Sequence, residues 1–235
     1  MRETDPRERA AVNTDLLLVD QGPGVRVGVP PQHAIPCLEL ERSVDRVREL
    51  IDAEFTASRH RVRAAAVRTT LSVHALRICR VTVVPWALHG VLAAPAGCAV
   101  TVDGHGGELC VDPDMIIPVN RNDFGAARMV RRVLEGHLGA VAERMSGEPG
   151  TARRAMEGQI GFGVGSAMAR ASRAGAPFGP LLAGYRRLVE HAPWLGATGS
   201  LHVVEGRLEF RRTCCCLWWT APDEEECTTC PRRRR

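Results

Sequence analysis

Leu40, Val44, Val47, Ile51 and Phe55 recur every three or four residues with charged positions between them, which predicts an amphipathic helix over about residues 38–55. A second stretch of the same period follows Ser58 and is carried by Val62, Ala65, Ala66, Thr69, Val73, Leu76 and Cys79. Pro85 should bend or end it, because proline offers no amide hydrogen to the helix. The pattern then changes to strands: Cys98–Val102 is rich in Val and Thr, Asp103–Gly107 is a polar turn, and Leu109–Val111 is the return strand of a hairpin. Asn122 or Asp123 is placed to cap a helix reaching about Met145; Ser146–Gly150 breaks it, and Thr151 opens an alanine-rich helix. Leu181, Leu182, Tyr185 and Leu188 predict one more short helix. Leu201–Val204, the turn Glu205-Gly206 and Arg207–Phe210 predict a second hairpin whose last strand runs into cysteine.

The expected class is therefore α+β: a mainly helical body with small antiparallel hairpins and a C-terminal cysteine-rich segment. Residues 1–36, polar and rich in Pro and Gly, read as an irregular lead-in; 37–200 form the helical body; 201–235 hold the hairpin and the cysteines. No repeat of solenoid length is visible.

Charge and composition narrow the function classes. All 31 basic residues are arginine, and against 27 acids they leave a formal charge of only +4 in 235 residues. With 4% aromatic residues the chain has few bases for stacking, so nucleic acid is not the expected partner. The apolar run Leu16–Val19 follows several charges and is too short for an export signal, which points to a cytoplasmic protein. Val81–Val102 lacks formal charge, but Pro85, His89, Gly90, Pro95 and Gly97 interrupt it. It reads as a buried helix, a turn and a strand; no membrane span is expected, and peripheral attachment is left open. In a reducing compartment grouped cysteines read first as metal ligands or redox groups.

Five of the nine cysteines lie in the last 22 residues: Cys214, Cys215 and Cys216 are adjacent, and after ten more residues come Cys227 and Cys230. A Cys-x2-Cys turn places two sulfurs on adjacent corners of a tetrahedron, about 3.7 Å apart for metal–sulfur bonds of about 2.3 Å. Adjacent cysteines in a strand point to opposite sides, so both can reach one site only where the strand ends. Four thiolates suit a structural zinc or an iron–sulfur cluster, and composition does not separate the two.

The spacing Cys215-Cys216, ten residues, Cys227, two residues, Cys230, followed by Pro231 and preceded by Arg211-Arg212, resembles the C-terminal signature of the FhuF-type ferric-siderophore reductases. The matching stretch is about a tenth of the chain. The resemblance implies a 2Fe-2S cluster on Cys215, Cys216, Cys227 and Cys230, with no catalytic residue beyond the cluster. Trp218 and Trp219 match the aromatic residues that follow the vicinal pair in that family. Two features depart from it: Cys214 stands where a non-ligand is usual, and Asp223 to Glu226 make the loop acidic.

The function implied is an oxidoreductase that reduces Fe(III) held by a siderophore of hydroxamate type, and so releases Fe(II), which hard anionic oxygens hold far more weakly. A plant-type 2Fe-2S centre near about −400 mV is a competent one-electron donor. The implied partners are a ferric siderophore on the helical body and an external donor: ferredoxin, flavodoxin or a flavin reductase. The alternative is a non-catalytic zinc module on the same four cysteines, contacting protein or RNA.

The rest of the chain offers less. Gly161, Gly163 and Gly165 lack the preceding strand and following acid of a dinucleotide site and read as close helix packing. Cys37, Cys79, Cys98 and Cys110 read as buried thiols, His33 and His105 as loop or surface histidines, and His74 and His89 as satisfied core histidines. The tail Arg232–Arg235 reads as a frayed end that could dock an acidic donor, and Arg121, Arg153 and Arg154 as arginines available to a chelate.

Overall fold

The computed structural model describes residues 24–102, 105–119, 124–222, 226–227 and 229–234. Expectations for residues 1–23, Asp103, Arg121 to Asp123, Asp223 to Glu225 and Arg235 lie outside the described residues.

Part of the lead-in enters the fold. Strand β1 (Val25–Val27) pairs in parallel with the strand Leu109–Val111, and β2 (Ile35–Pro36) closes the other edge of the same sheet. The single helix expected over 38–55 is two helices, α1 (Cys37–Leu40) and α2 (Val44–Ala57). The cause is Ser43, whose hydroxyl accepts from the backbone N–H of Arg46 at 3.2 Å and caps a new N-terminus. The buried stripe of α2 is Val47, Leu50, Ile51 and Glu54, while Val44 faces outward.

Helix α3 (Arg63–Val81) is buried on nearly all sides, which explains its weak amphipathic pattern. It ends at Thr82, and α4 (Val83–His89) restarts with Pro85 in its first turn, where a missing N–H costs nothing. Arg63–His89 is a helical run long and apolar enough to cross a membrane, and 94% of its most apolar window is buried inside the protein. It is the core of this fold.

Strands β3 (Val91–Ala93), β4 (Cys98–Val100), β5 (Leu109–Val111) and β6 (Ile116–Pro118) follow. The expected hairpin is β4 with β5, registered Cys98 to Val111, in a sheet of order β1-β5-β4-β2; β3 pairs with β6. Helix α5 (Phe124–Arg132) continues through a π-helical stretch, Val133–Leu138, into α6 (Gly139–Arg144). The alanine-rich helix is α7 (Arg153–Arg173), and the helix around Leu181 is a full 14 residues, α8 (Phe178–His191), followed by α9 (Pro193–Thr198). Strands β7 (Gly199–Val204) and β8 (Arg207–Arg212) form the final hairpin. Its turn has φ of 50° at Glu205 and 75° at Gly206, the left-handed pair that a two-residue hairpin requires.

The molecule is built on the seam between α3 and α7. A Cβ at Gly163 would lie 2.6 Å from the carbonyl carbon of Ala75, one at Gly161 would meet Thr198, and one at Gly165 would enter the Phe210 ring. The three alternate glycines thus set three close approaches, to α3, α9 and β8. The fold is α+β, mainly helical, with small sheets.

Candidate functional site

Strand β8 delivers its last residue, Arg212, into the interior. Arg212 is 3% exposed; its guanidinium donates to the Gln159 amide oxygen at 2.8 Å and to the Cys214 carbonyl, and lies 4.4 Å over the Phe162 ring. Gln159, fully buried on α7, also accepts from the Ser72 hydroxyl of α3 at 2.6 Å. Its amide nitrogen reaches the Cys215 carbonyl at 3.5 Å, which also accepts from Arg68 at 3.2 Å. The two central helices therefore grip the backbone of the cysteine segment through a buried polar network, and such networks fix one geometry because each unmade bond is costly.

The three adjacent cysteines have different surroundings. Cys214 lies against α7: its thiol donates to the Arg154 carbonyl at 3.5 Å, and a Cβ at Gly158 would fall 2.6 Å from its sulfur. Leu217 adopts φ 66°, left-handed and uncommon for a leucine. The turn brings the Leu217 N–H to the Cys215 sulfur at 3.3 Å and the Trp218 N–H toward that of Cys216. Cys216 is 8% exposed and Cys230 2%; the Cys230 N–H closes the Cys-x2-Cys turn on the Cys227 carbonyl at 2.8 Å.

Cys216 and Cys227 share a hydrogen bond between their thiols. That bond from Cys227 pulls the Cys216 thiol below its ordinary range, helped by Arg212 and the Trp218 N–H and opposed by burial. Cys227 is correspondingly held up. The pair titrates as a unit with one readily ionised thiolate. All nine cysteines are free thiols. The structure thus brings Cys216, beside Cys215 on the first turn, together with Cys227, which shares the second turn with Cys230. Among the described residues the group of three metal-donor atoms lying within 4.8 Å of one another is elsewhere, at Cys37, His74 and His137.

Trp218 makes edge contacts with His60 and His105, ring centroids 5.4 and 5.2 Å away. Both imidazoles meet Glu54, His60 at 3.3 Å and His105 at 3.1 Å, and Ser58 donates to the same carboxylate at 2.6 Å. Burial would raise the Glu54 pKa, but these hydrogen bonds overcome it and lower the group to about 2. Neither Glu54 nor His60 stood out in the sequence. Glu54 lies three residues after Ile51 and seven after Val47, so helical period could have placed it on the inward face, and its charge is what hid it.

His105 also borders an open cleft of about 750 Å³ whose wall includes Arg26, Arg77, Arg80 and Arg170, with Glu108 as its acid. Arg77 donates to the carbonyls of His105 and Gly106, which ties the cleft wall to the His105 loop. A second cleft of about 530 Å³, lined by Arg153, Glu157 and Trp194, is mixed in charge. Arg153 points outward and pairs with Glu157 at 2.7 Å, so the arginine-rich cleft draws on residues the sequence did not single out. His33 and His89 are exposed, which corrects the expectation of a core histidine at position 89. Of the C-terminal arginines, Arg232 pairs with Glu226 at 3.2 Å and stacks 4.4 Å over Trp219. Compared with known proteins, the chain matches no family model and no curated protein.

Proposed function

We propose that the chain is a cytoplasmic 2Fe-2S oxidoreductase that reduces Fe(III) held by a siderophore of the hydroxamate class and releases Fe(II). The observation that carries the reading is a contact between two features: Trp218, in the cysteine segment with its activated thiol, packs against His105, which lines an arginine-rich cleft.

The donor set fits such a group. Cys215, Cys216, Cys227 and Cys230 would hold it, two of their sulfurs already accept backbone N–H bonds, and the Arg212 charge lies beneath. N–H bonds to sulfur and nearby positive charge both favour the reduced state of such centres. A 2Fe-2S centre bound there supplies one electron at a time. Cys214, engaged with Arg154, is left out of the ligand set. The guanidinium groups of the cleft offer hydrogen-bond donors to the chelate's hydroxamate oxygens, and Trp218, two residues from Cys216, touches His105 of the cleft wall. One electron converts the chelate's Fe(III) to Fe(II); an external one-electron donor of the ferredoxin or flavodoxin class, or a flavin reductase, replaces it.

Anaerobic purification tests this. Two iron and two acid-labile sulfide per chain are expected, with an electron paramagnetic resonance signal after dithionite, and reoxidation of the reduced protein by a ferric hydroxamate with Fe(II) appearing in a ferrous trap. Cys216→Ser and Cys227→Ser should lose the iron, and Cys214→Ser should keep it. A colourless protein holding one zinc on these four cysteines refutes the reading in favour of a redox-inert module.

A further inference from the structure

A buried chain of polar groups crosses the body of the fold, far in sequence from the C-terminal cysteines. Glu41 accepts from His137 Nδ1 at 2.8 Å, and His137 Nε2 meets His74 Nε2 at 2.9 Å. The Cys37 sulfur completes a group whose donor atoms all lie within 4.8 Å of one another, with all three residues buried. We propose that Cys37, His74 and His137 form a second metal site, of a chemistry that suits zinc, tying α1, α3 and the π-helical stretch together.

Four observations carry this. First, the spacing is right: a tetrahedral ion with bonds of about 2.0 Å to nitrogen and 2.3 Å to sulfur holds its ligand atoms roughly 3.3–3.6 Å apart. The two imidazole nitrogens need to part by about half an ångström, and the sulfur needs no more than about 1.3 Å of inward movement. Second, Glu41 fixes the His137 tautomer. With Nδ1–H donated to the carboxylate, Nε2 is a lone pair aimed into the cluster, the carboxylate–histidine arrangement that supports zinc ligands.

Third, the chain of hydrogen bonds does not close on itself. His74 Nε2–H then donates to His137, and His74 Nδ1 is buried with no partner among the described residues, as is the Thr70 hydroxyl one helical turn earlier. Thr70 and His74 line the same small cavity of about 10 Å³. A metal on His74 Nε2 moves that proton to Nδ1, beside the cavity that the Thr70 hydroxyl also borders. Fourth, His137 stands in a π-helical stretch, Val133–Leu138, a rare geometry whose wider turn places His137 on the inward side with Val133, Leu134 and Leu138. Binding displaces one proton, from the Cys37 thiol, and oxidises nothing. Three protein ligands leave a fourth position for water.

Cobalt(II), the spectroscopic stand-in for zinc, tests the site in the full chain carrying Cys215→Ser and Cys227→Ser, which breaks up the competing four-cysteine set. One equivalent is expected, with tetrahedral visible bands and a single thiolate charge-transfer band. Adding Cys37→Ser should abolish the charge-transfer band, and Glu41→Gln should weaken binding about 10- to 100-fold while the bands persist. No retained cobalt in a chain whose circular dichroism is native, or a spectrum indifferent to Cys37→Ser, overturns the proposal. Where that background fails to fold, cobalt is counted in otherwise wild-type protein with and without Cys37→Ser: loss of one equivalent supports the site, and no loss overturns it.

Discussion

Replacing Gly163 with alanine adds one methyl group where α3 and α7 come closest. The new Cβ would stand 2.6 Å from the carbonyl carbon and the Cβ of Ala75 and 2.8 Å from the Leu76 nitrogen, against ordinary contacts that begin at 3.4 Å. These obstacles are backbone and a Cβ, which cannot rotate away, so the helices must part by most of an ångström. Overpacking of this kind costs about 1–3 kcal/mol, and immovable neighbours put it at the upper end. Alanine's better helix propensity returns about 1 kcal/mol. The net loss is about 2 kcal/mol, which in a chain of this size lowers Tm by roughly 4–8 °C. The damage should reach the cysteines, because the bond from Ser72 to Gln159 spans the same seam one turn away. Thermal unfolding of Gly163→Ala beside Gly139→Ala, whose Cβ meets nothing closer than 3.9 Å, separates packing from propensity. The control should gain up to about 1 kcal/mol. A Gly163→Ala protein as stable as wild type would refute the account of this seam.

Other outcomes follow from single contacts. Gln159→Leu removes the acceptor of the buried Arg212 and the donor to Cys215, and should cost about 2–4 kcal/mol in urea unfolding and speed reaction of the cysteines with a thiol reagent. Unchanged thiol reactivity would show that the network does not hold the segment. Glu54, lowered to about 2 from 4.5, contributes on the order of 3 kcal/mol that is fully present above pH 4.5 and is lost as pH falls toward 2. The stability gap between wild type and Glu54→Gln should therefore shrink between pH 5 and about pH 2, and a constant gap would contradict the assignment. Arg26→Gln with Arg170→Gln should weaken ferric-chelate binding about 5- to 10-fold at low salt while leaving iron content unchanged, and an undiminished affinity would move the chelate elsewhere. Gly206→Ala, at φ 75° with open space around it, should cost only the left-handed backbone penalty of about 1–2 kcal/mol by chemical denaturation, and a neutral result would mean the turn is not of this type.

The sequence alone determined what short range determines. The periodic stripe of α2, the hairpins β4–β5 and β7–β8, the helix around Leu181 and the spacing of the last four cysteines depend on neighbours a few residues apart, and each was legible. The glycines of α7 were read as close packing for the same reason: a small residue every second position leaves room whatever fills it. Where the reading failed locally, one side chain decided. Ser43 caps and so divides the first helix, and a lead-in that looked irregular supplies β1 because its strand partner comes from the far end of the next hairpin.

Only the tertiary structure decided which distant residues meet. Gln159 beneath Cys215, Glu54 behind Trp218, the arginines around one cleft, and Cys37 beside His74 and His137 join positions tens of residues apart that share no motif. Burial then gives these polar groups their chemistry. In water each would be solvated and ordinary; inside, an imidazole is harder to protonate, a thiol beside a second thiol and a guanidinium ionises more readily, and a carboxylate keeps its charge through the hydrogen bonds it accepts. A linear pattern records which groups are present, whereas charge state and ligand geometry depend on what displaces the water around them, and that is set by packing.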